Sequence, residues 1–213
     1  MLNIWNSDLY RLGKSKLLYG VAAFTGLIAF LLIVLVRQDI RLGISVFGNL
    51  TAFKGINDVV RMGITYQKGL GILVAVLVCV FIGQEYQWQT WQQKWLTSKN
   101  RIYIYVSKAA LSSAVSAAIF LLYQVVVLIS SGQIQETLTP GYADRMIGGV
   151  FVCAALGSVI CLLSMLVKNG TASVIVCLGY VLFGETVLPM VKNLSGFSDT
   201  AARFVAWGVQ GGV

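Results

Sequence analysis

The side chains that could do chemistry in this chain are few, and their types exclude most of it. There is no histidine, so a Ser-His-Asp triad and the His-based motifs of zinc proteases are ruled out. The 8 carboxylates and 16 Lys and Arg residues all avoid the centres of the apolar runs. Carriers driven by ion gradients place ionisable groups at mid-membrane, where charge is costly and kept for function. Here Glu85 and Glu185 fall at the ends of apolar runs, so energy is expected to arrive from outside the membrane. Cys79, Cys153, Cys161 and Cys177 lie inside apolar runs and form no C-x-x-C pair. They read as reduced thiols packed as small hydrophobes, not as a metal or redox site. No catalytic residue is expected in this chain.

Binding chemistry is a better match. In GQEYQWQTWQQKWLTSKNRIYIYVSK, Trp88, Trp91 and Trp95 recur at i, i+3 and i+7, one stripe of a helix. Gln87, Gln89, Gln93 and Lys94 fall on the other side. Trp favours the headgroup zone of a bilayer. Thr97-Ser98 offers a capping signal, and Arg101 with Tyr103 and Tyr105 marks the return to lipid. Two readings fit: a plain aromatic anchor, and an interfacial helix that presents its polar side to a soluble partner. Tyr123 and Gln124, deep in an apolar run, are the polar groups placed to see a substrate path, or else to bond between helices. Gly149, Cys153, Gly157 and Cys161 recur every four residues, as do Ala110, Ala114 and Ala118. Such stripes let helix backbones approach closely, within one chain or between two.

The elements that carry these residues are membrane spans. Leu17–Val36 holds no charge and no polar face, and is long enough to cross a ~30 Å hydrocarbon core. Hydrophobic residues make up 57% of the chain and charged ones 11%, with mean hydropathy +0.80. Globular proteins carry about 25% charged residues. A single transmembrane domain is therefore expected over residues 1–213, with no soluble catalytic domain. Its parts are an amphipathic arm (1–16), spans at 17–36, 64–84, 105–130, 146–167 and 171–189, and a segment at 190–213. Loops at 37–63 and 85–104 separate the first three spans. The arm places Leu2, Trp5, Leu9 and Leu12 on one face, as an interfacial helix would. The 37–63 loop is expected to fold as short interfacial helices around Ile44, Val46, Phe47, Leu50 and Phe53. Asn169-Gly170 breaks the chain between the last two spans, which form an antiparallel hairpin.

The net charge of +8 belongs with lipid headgroups rather than with nucleic acid. Lysine and arginine divide evenly between the two sides, so charge bias leaves the topology open.

The 85–108 segment resembles the first cytoplasmic loop of ABC-2 type transporter permeases. In that family a span ends in an acidic residue, then come a Gly/Gln-Thr step, a short helix, a Ser-x-x-Arg-like turn and a lysine opening the next span. Here these are Glu85, Gln89-Thr90, Trp91–Leu96, Ser98 to Arg101, and Lys108. The order of parts along nearly the whole chain is similar too. The resemblance implies an all-α, type V exporter-like transmembrane domain with a cytoplasmic N-terminus in the cell membrane, so that 37–63 and 190–213 are external and 85–104 cytoplasmic, and a sixth span beyond Val213. Size and layout look most like the small bacterial permeases of peptide, lantibiotic-immunity or antibiotic-resistance exporters.

The same resemblance implies partners. Gln92, Gln93, Leu96, Thr97 and Ser98 would form a coupling helix docked on a separate ATPase dimer that carries ATP and Mg. Glu85, Trp88, Trp91, Trp95 and Arg101 would anchor the loop. A second copy of the permease, or a paralogue, would complete the path for a peptide or a hydrophobic or amphipathic molecule. The other classes in view are an immunity or sensor subunit that binds a peptide without transport, and a secondary carrier.

Overall fold

The computed structural model describes residues 2–37, 44–46, 49–51, 59, 69–88, 101–132 and 142–192. Six helices and one short hairpin account for them: α1 (Leu2–Gly13), α2 (Lys16–Arg37), β1 (Ile44–Val46), β2 (Asn49–Thr51), α3 (Leu70–Gln87), α4 (Arg101–Ser131), α5 (Tyr142–Val167) and α6 (Gly170–Lys192). Four of them, α2 to α5, are long and apolar enough to cross a membrane. In α6 the apolar stretch among the described residues is Gly170–Phe183, shorter than those four. Large apolar side chains lie on the outside of these helices, among them Phe24, Leu27 and Phe30 on α2, Leu121, Val125 and Ile129 on α4, and Phe151 and Leu166 on α5. Water would not tolerate such a girdle, whereas lipid is its natural solvent.

α3 is the most enclosed span and touches α2, α4, α5 and α6. The most extensive packing is α4 against α5, followed by α3 against α6. Glycines make both approaches possible. A Cβ on Gly149 would meet the Phe120 ring at 2.3 Å, and one on Gly157 would meet Ser116 Oγ at 2.2 Å and the Ser112 carbonyl at 2.7 Å. Gly83 of α3 and Gly170 of α6 cross so closely that a Cβ on Gly83 would lie 2.7 Å from Gly170 Cα. The hydroxyls beneath Gly157 are satisfied within α4: Ser112 donates to the Lys108 carbonyl and Ser116 to the Ser112 carbonyl, both at 2.7 Å.

Several boundaries differ from those the sequence suggests. α3 runs on to Gln87 and α4 begins at Arg101, so both helices extend into the expected 85–104 loop. Backbone hydrogen bonding does not stop where the hydrocarbon does. At 31 residues α4 is about 46 Å long, well beyond a ~30 Å core, so its start projects into the headgroup zone unless it tilts. α3 starts at Leu70, and residues 64–68 of the expected second span lie outside the described set. In the 37–63 loop, Ile44–Val46 and Asn49–Thr51 pair as antiparallel strands, with Ser45 opposite Leu50, where short helices were expected. Ile, Val and Thr are β-branched and favour the extended chain. Phe47 and Phe53 lie outside the described residues.

The arm's inward face keeps part of the expected apolar stripe and adds an acid. Trp5, Asp8 and Leu12 point towards the bundle, while Leu9 is 51% exposed. At the α5–α6 turn the left-handed residue is Lys168, with φ 55°, and Asn169 caps α6 by accepting from the Thr171 amide through its side chain. The left-handed region costs a non-glycine residue about 1–2 kcal/mol. Lys168→Gly is therefore expected to raise stability by about 1 kcal/mol, read as a higher midpoint in detergent melts. An unchanged or lower midpoint would mean that the lysine side chain compensates for its backbone.

Candidate functional site

The site begins with the elbow between α1 and α2. α1 ends at Gly13, and the Lys14 and Ser15 amides close the turn by donating to the Tyr10 and Leu12 carbonyls. The arm is thereby laid against the start of α4. That brings Asp8 and Arg11 of α1 to Glu85, in the last turn of α3, and Lys108, in the second turn of α4.

The four side chains form one ion cluster. Lys108 Nζ forms an ion pair with Asp8, 2.9 Å from Oδ2, and donates a hydrogen bond to Glu85 Oε1. Arg11 Nη1 donates to the same Glu85 oxygen at 2.8 Å. Asp8, Glu85 and Lys108 are buried, with 0–1% exposure, whereas Arg11 reaches the surface at 28%. Phe81, one turn before Glu85, receives both cations on its ring, at 4.8 Å from Lys108 Nζ and 5.6 Å from Arg11 Cζ. Among the described residues, two carboxylates and two cations sum to zero. That balance matters, because a buried charge costs several kcal/mol unless its partner is in place. Such a cluster holds the arm, the end of α3 and the start of α4 as one unit.

The same end of the bundle carries the α5–α6 turn. Tyr86 Oη donates to the Met165 carbonyl at 3.3 Å, and Gly83 meets Gly170 beside it. The unit therefore braces both flanks of segment 89–100, which joins α3 to α4.

Residues singled out from the sequence fall into three groups. Glu85 is at the centre of the cluster, and Trp88, three residues on, is 65% exposed. Trp91, Gln92, Gln93, Trp95, Leu96, Thr97 and Ser98 lie outside the described residues, and Arg101 is described only as the first residue of α4. Tyr123 and Gln124 are buried within the bundle. The Tyr123 hydroxyl donates to the Val59 carbonyl at 2.9 Å, and its ring borders an apolar cavity of about 220 Å³ with Phe24, Ile28 and Leu73.

The two small-residue stripes part company. Gly149, Cys153, Gly157 and Cys161 are buried, and the two glycines meet α4 within the chain. Ala110, Ala114 and Ala118 face outward. All four cysteines are unpaired and buried. Among the described residues no group of His, Cys, Asp and Glu could hold a metal ion.

Asp8 and Arg11 were not legible as site residues. The signal was there in weak form: Asp8 is the lone acid of the arm, one turn from Arg11 and on its inward face.

Comparison with known protein families, curated proteins and solved structures found no match to this chain. What the helices define by themselves is a multi-pass membrane protein, with its buried acidic and basic side chains, among the described residues, gathered at one end.

Proposed function

We propose that this chain is the transmembrane permease subunit of an ATP-binding-cassette exporter in the cell membrane, with a cytoplasmic N-terminus and α2 to α6 as five spans. It works with a second copy or a paralogous permease, and a separate ATPase dimer supplies ATP hydrolysis. The cargo is a peptide or another hydrophobic or amphipathic molecule. The observation that carries this reading is the cluster of Asp8, Arg11, Glu85 and Lys108 on both flanks of segment 89–100. A loop pushed from outside the membrane moves spans only if its flanks are rigidly tied to them. The cluster supplies that tie, and it joins the amphipathic arm to the same lever. The buried charges of the described residues lie at that end and not at mid-bundle, which fits power delivered at the membrane surface.

The test is coupling. Replacing Gln93 and Leu96 together with Asp is expected to abolish ATPase association or substrate-stimulated hydrolysis, because charge would enter a partly buried groove without a partner. Trp88→Ala should do less, since it loosens the anchor without touching the partner. Wild-type association and hydrolysis in the double variant would reduce the Trp stripe to an interfacial anchor. Flux in proteoliposomes that follows a proton or sodium gradient without ATP would assign the chain to secondary carriers instead. Peptide binding without flux would assign it to immunity or sensing. A co-purifying subunit with the phosphate-binding G-x-x-x-x-G-K-[ST] loop is the expected partner.

A further inference from the structure

A second feature of the same end points outward rather than inward. Between the arm and the last turn of α3 lies an open cavity of about 470 Å³. Three of its lining residues are cations, Arg11, Lys14 and Lys16, and none of the described lining residues is acidic. Asp8 and Glu85, the nearby carboxylates, are turned into the buried cluster and face Lys108. The floor is apolar, made by Leu17 and Phe81, and Trp88 stands at the rim. Lys14 Nζ sits 4.6 Å from the Tyr10 ring centroid, so its ammonium is held over the cavity wall rather than swinging free. α2 begins here at Lys16, but α1 and α3 both end beside the same cavity, so the attraction for an anion rests on the side-chain cations rather than on helix dipoles.

We propose that this cavity is a binding site for the phosphate headgroup of an anionic phospholipid, with an acyl chain lying along Leu17 and Phe81. The charge complementarity calls for an anion. The apolar floor, continuous with a membrane span, calls for that anion to carry a tail. Exposed Tyr10 and Trp88 place the cavity at headgroup depth, where such rings settle. A soluble phosphate would satisfy the cations and leave the floor uncovered. Because Arg11 also holds Glu85, the headgroup would rest on the outer face of the ion cluster. The proposal does not depend on transport.

Native mass spectrometry of the delipidated full chain, titrated with phosphatidylglycerol or phosphatidylcholine, tests it. Phosphatidylglycerol is expected to be retained in preference. Lys14→Gln with Lys16→Gln should weaken its retention about tenfold while leaving phosphatidylcholine unchanged. Lys14→Arg with Lys16→Arg should keep it. Neither lysine belongs to the buried cluster, so the melts of these variants should match the wild type. Should the glutamine variant misfold, raising the ionic strength on the wild-type chain gives the same reading, with phosphatidylglycerol released and phosphatidylcholine retained. Equal retention of the two lipids, or retention indifferent to both lysines and salt, would overturn the site. Displacement by glycerol phosphate at the same concentration as the lipid would show a soluble-phosphate site and overturn it as well.

Discussion

Lys108→Met is expected to lower the stability of the folded chain by about 3–5 kcal/mol, the usual cost of removing one partner from a buried ion pair. Methionine fills a similar volume, so the loss is electrostatic rather than steric. Asp8 and Glu85 would remain at 0–1% exposure without the cation that joins them, and the described cluster would carry one net negative charge. Adding Asp8→Asn removes that excess. The double variant should therefore recover at least half of the loss, a coupling far outside simple additivity. Unfolding in mixed micelles, followed by circular dichroism, measures both. A Lys108→Met variant that melts with the wild type, or a double variant that is worse than either single one, would mean that the cluster does not tie the arm to the bundle. The comparison also separates stability from coupling: a folded double variant with a neutral interior tests whether the tie needs charge or only contact.

Gly83→Val should cost about 1–3 kcal/mol, towards the upper end, by overpacking the α3–α6 crossing. The first atom that a Cβ meets there is Gly170 Cα at 2.7 Å, which is backbone and cannot rotate away. Relief requires the two helices to part, and the Tyr86 bond to Met165 sits beside the same crossing. Gly148→Ala on α5 is the control, since nothing lies within 4 Å of its Cβ position. That change should be neutral or stabilising by up to about 1 kcal/mol through helix propensity. Thermal melts of the two variants in one detergent decide the matter. Equal midpoints would show that the α3–α6 crossing accommodates a side chain at position 83 without loss of packing.

The spans were readable because lipid imposes a simple rule: every backbone group must bond within its own helix, and the side chains along it must be apolar. Leu17–Val36 became α2 with a shift of one residue at each end, and the Gly149–Gly157 stripe lies on a face that packs. The Asn169-Gly170 break also stands where the α5–α6 turn falls. Its details were hidden, because the left-handed residue is Lys168 and Asn169 acts as a cap.

Which apolar face goes where was not readable, for a physical reason. In water, the inward face of a helix is the apolar one. In lipid both faces are apolar, so periodicity loses its pointer. Ala110, Ala114 and Ala118 follow the same four-residue rhythm as the α5 glycines, yet they face outward while the glycines are buried. In the arm, Leu9 belongs to the apolar stripe of the sequence, yet Asp8 is the residue that turns inward. The ion pair with Lys108, on another helix, makes that orientation favourable. The Gly83–Gly170 contact is likewise set by where α3 and α6 cross: Gly83 ends a four-residue rhythm of Gly71, Ala75 and Cys79, but nothing in that rhythm names Gly170 as its partner. The sequence by itself therefore determined the solvent, the helices and the sparse polar groups. The tertiary structure decided which of those groups meet, because pairing buried charges and closing glycine crossings depend on distances between helices far apart along the chain.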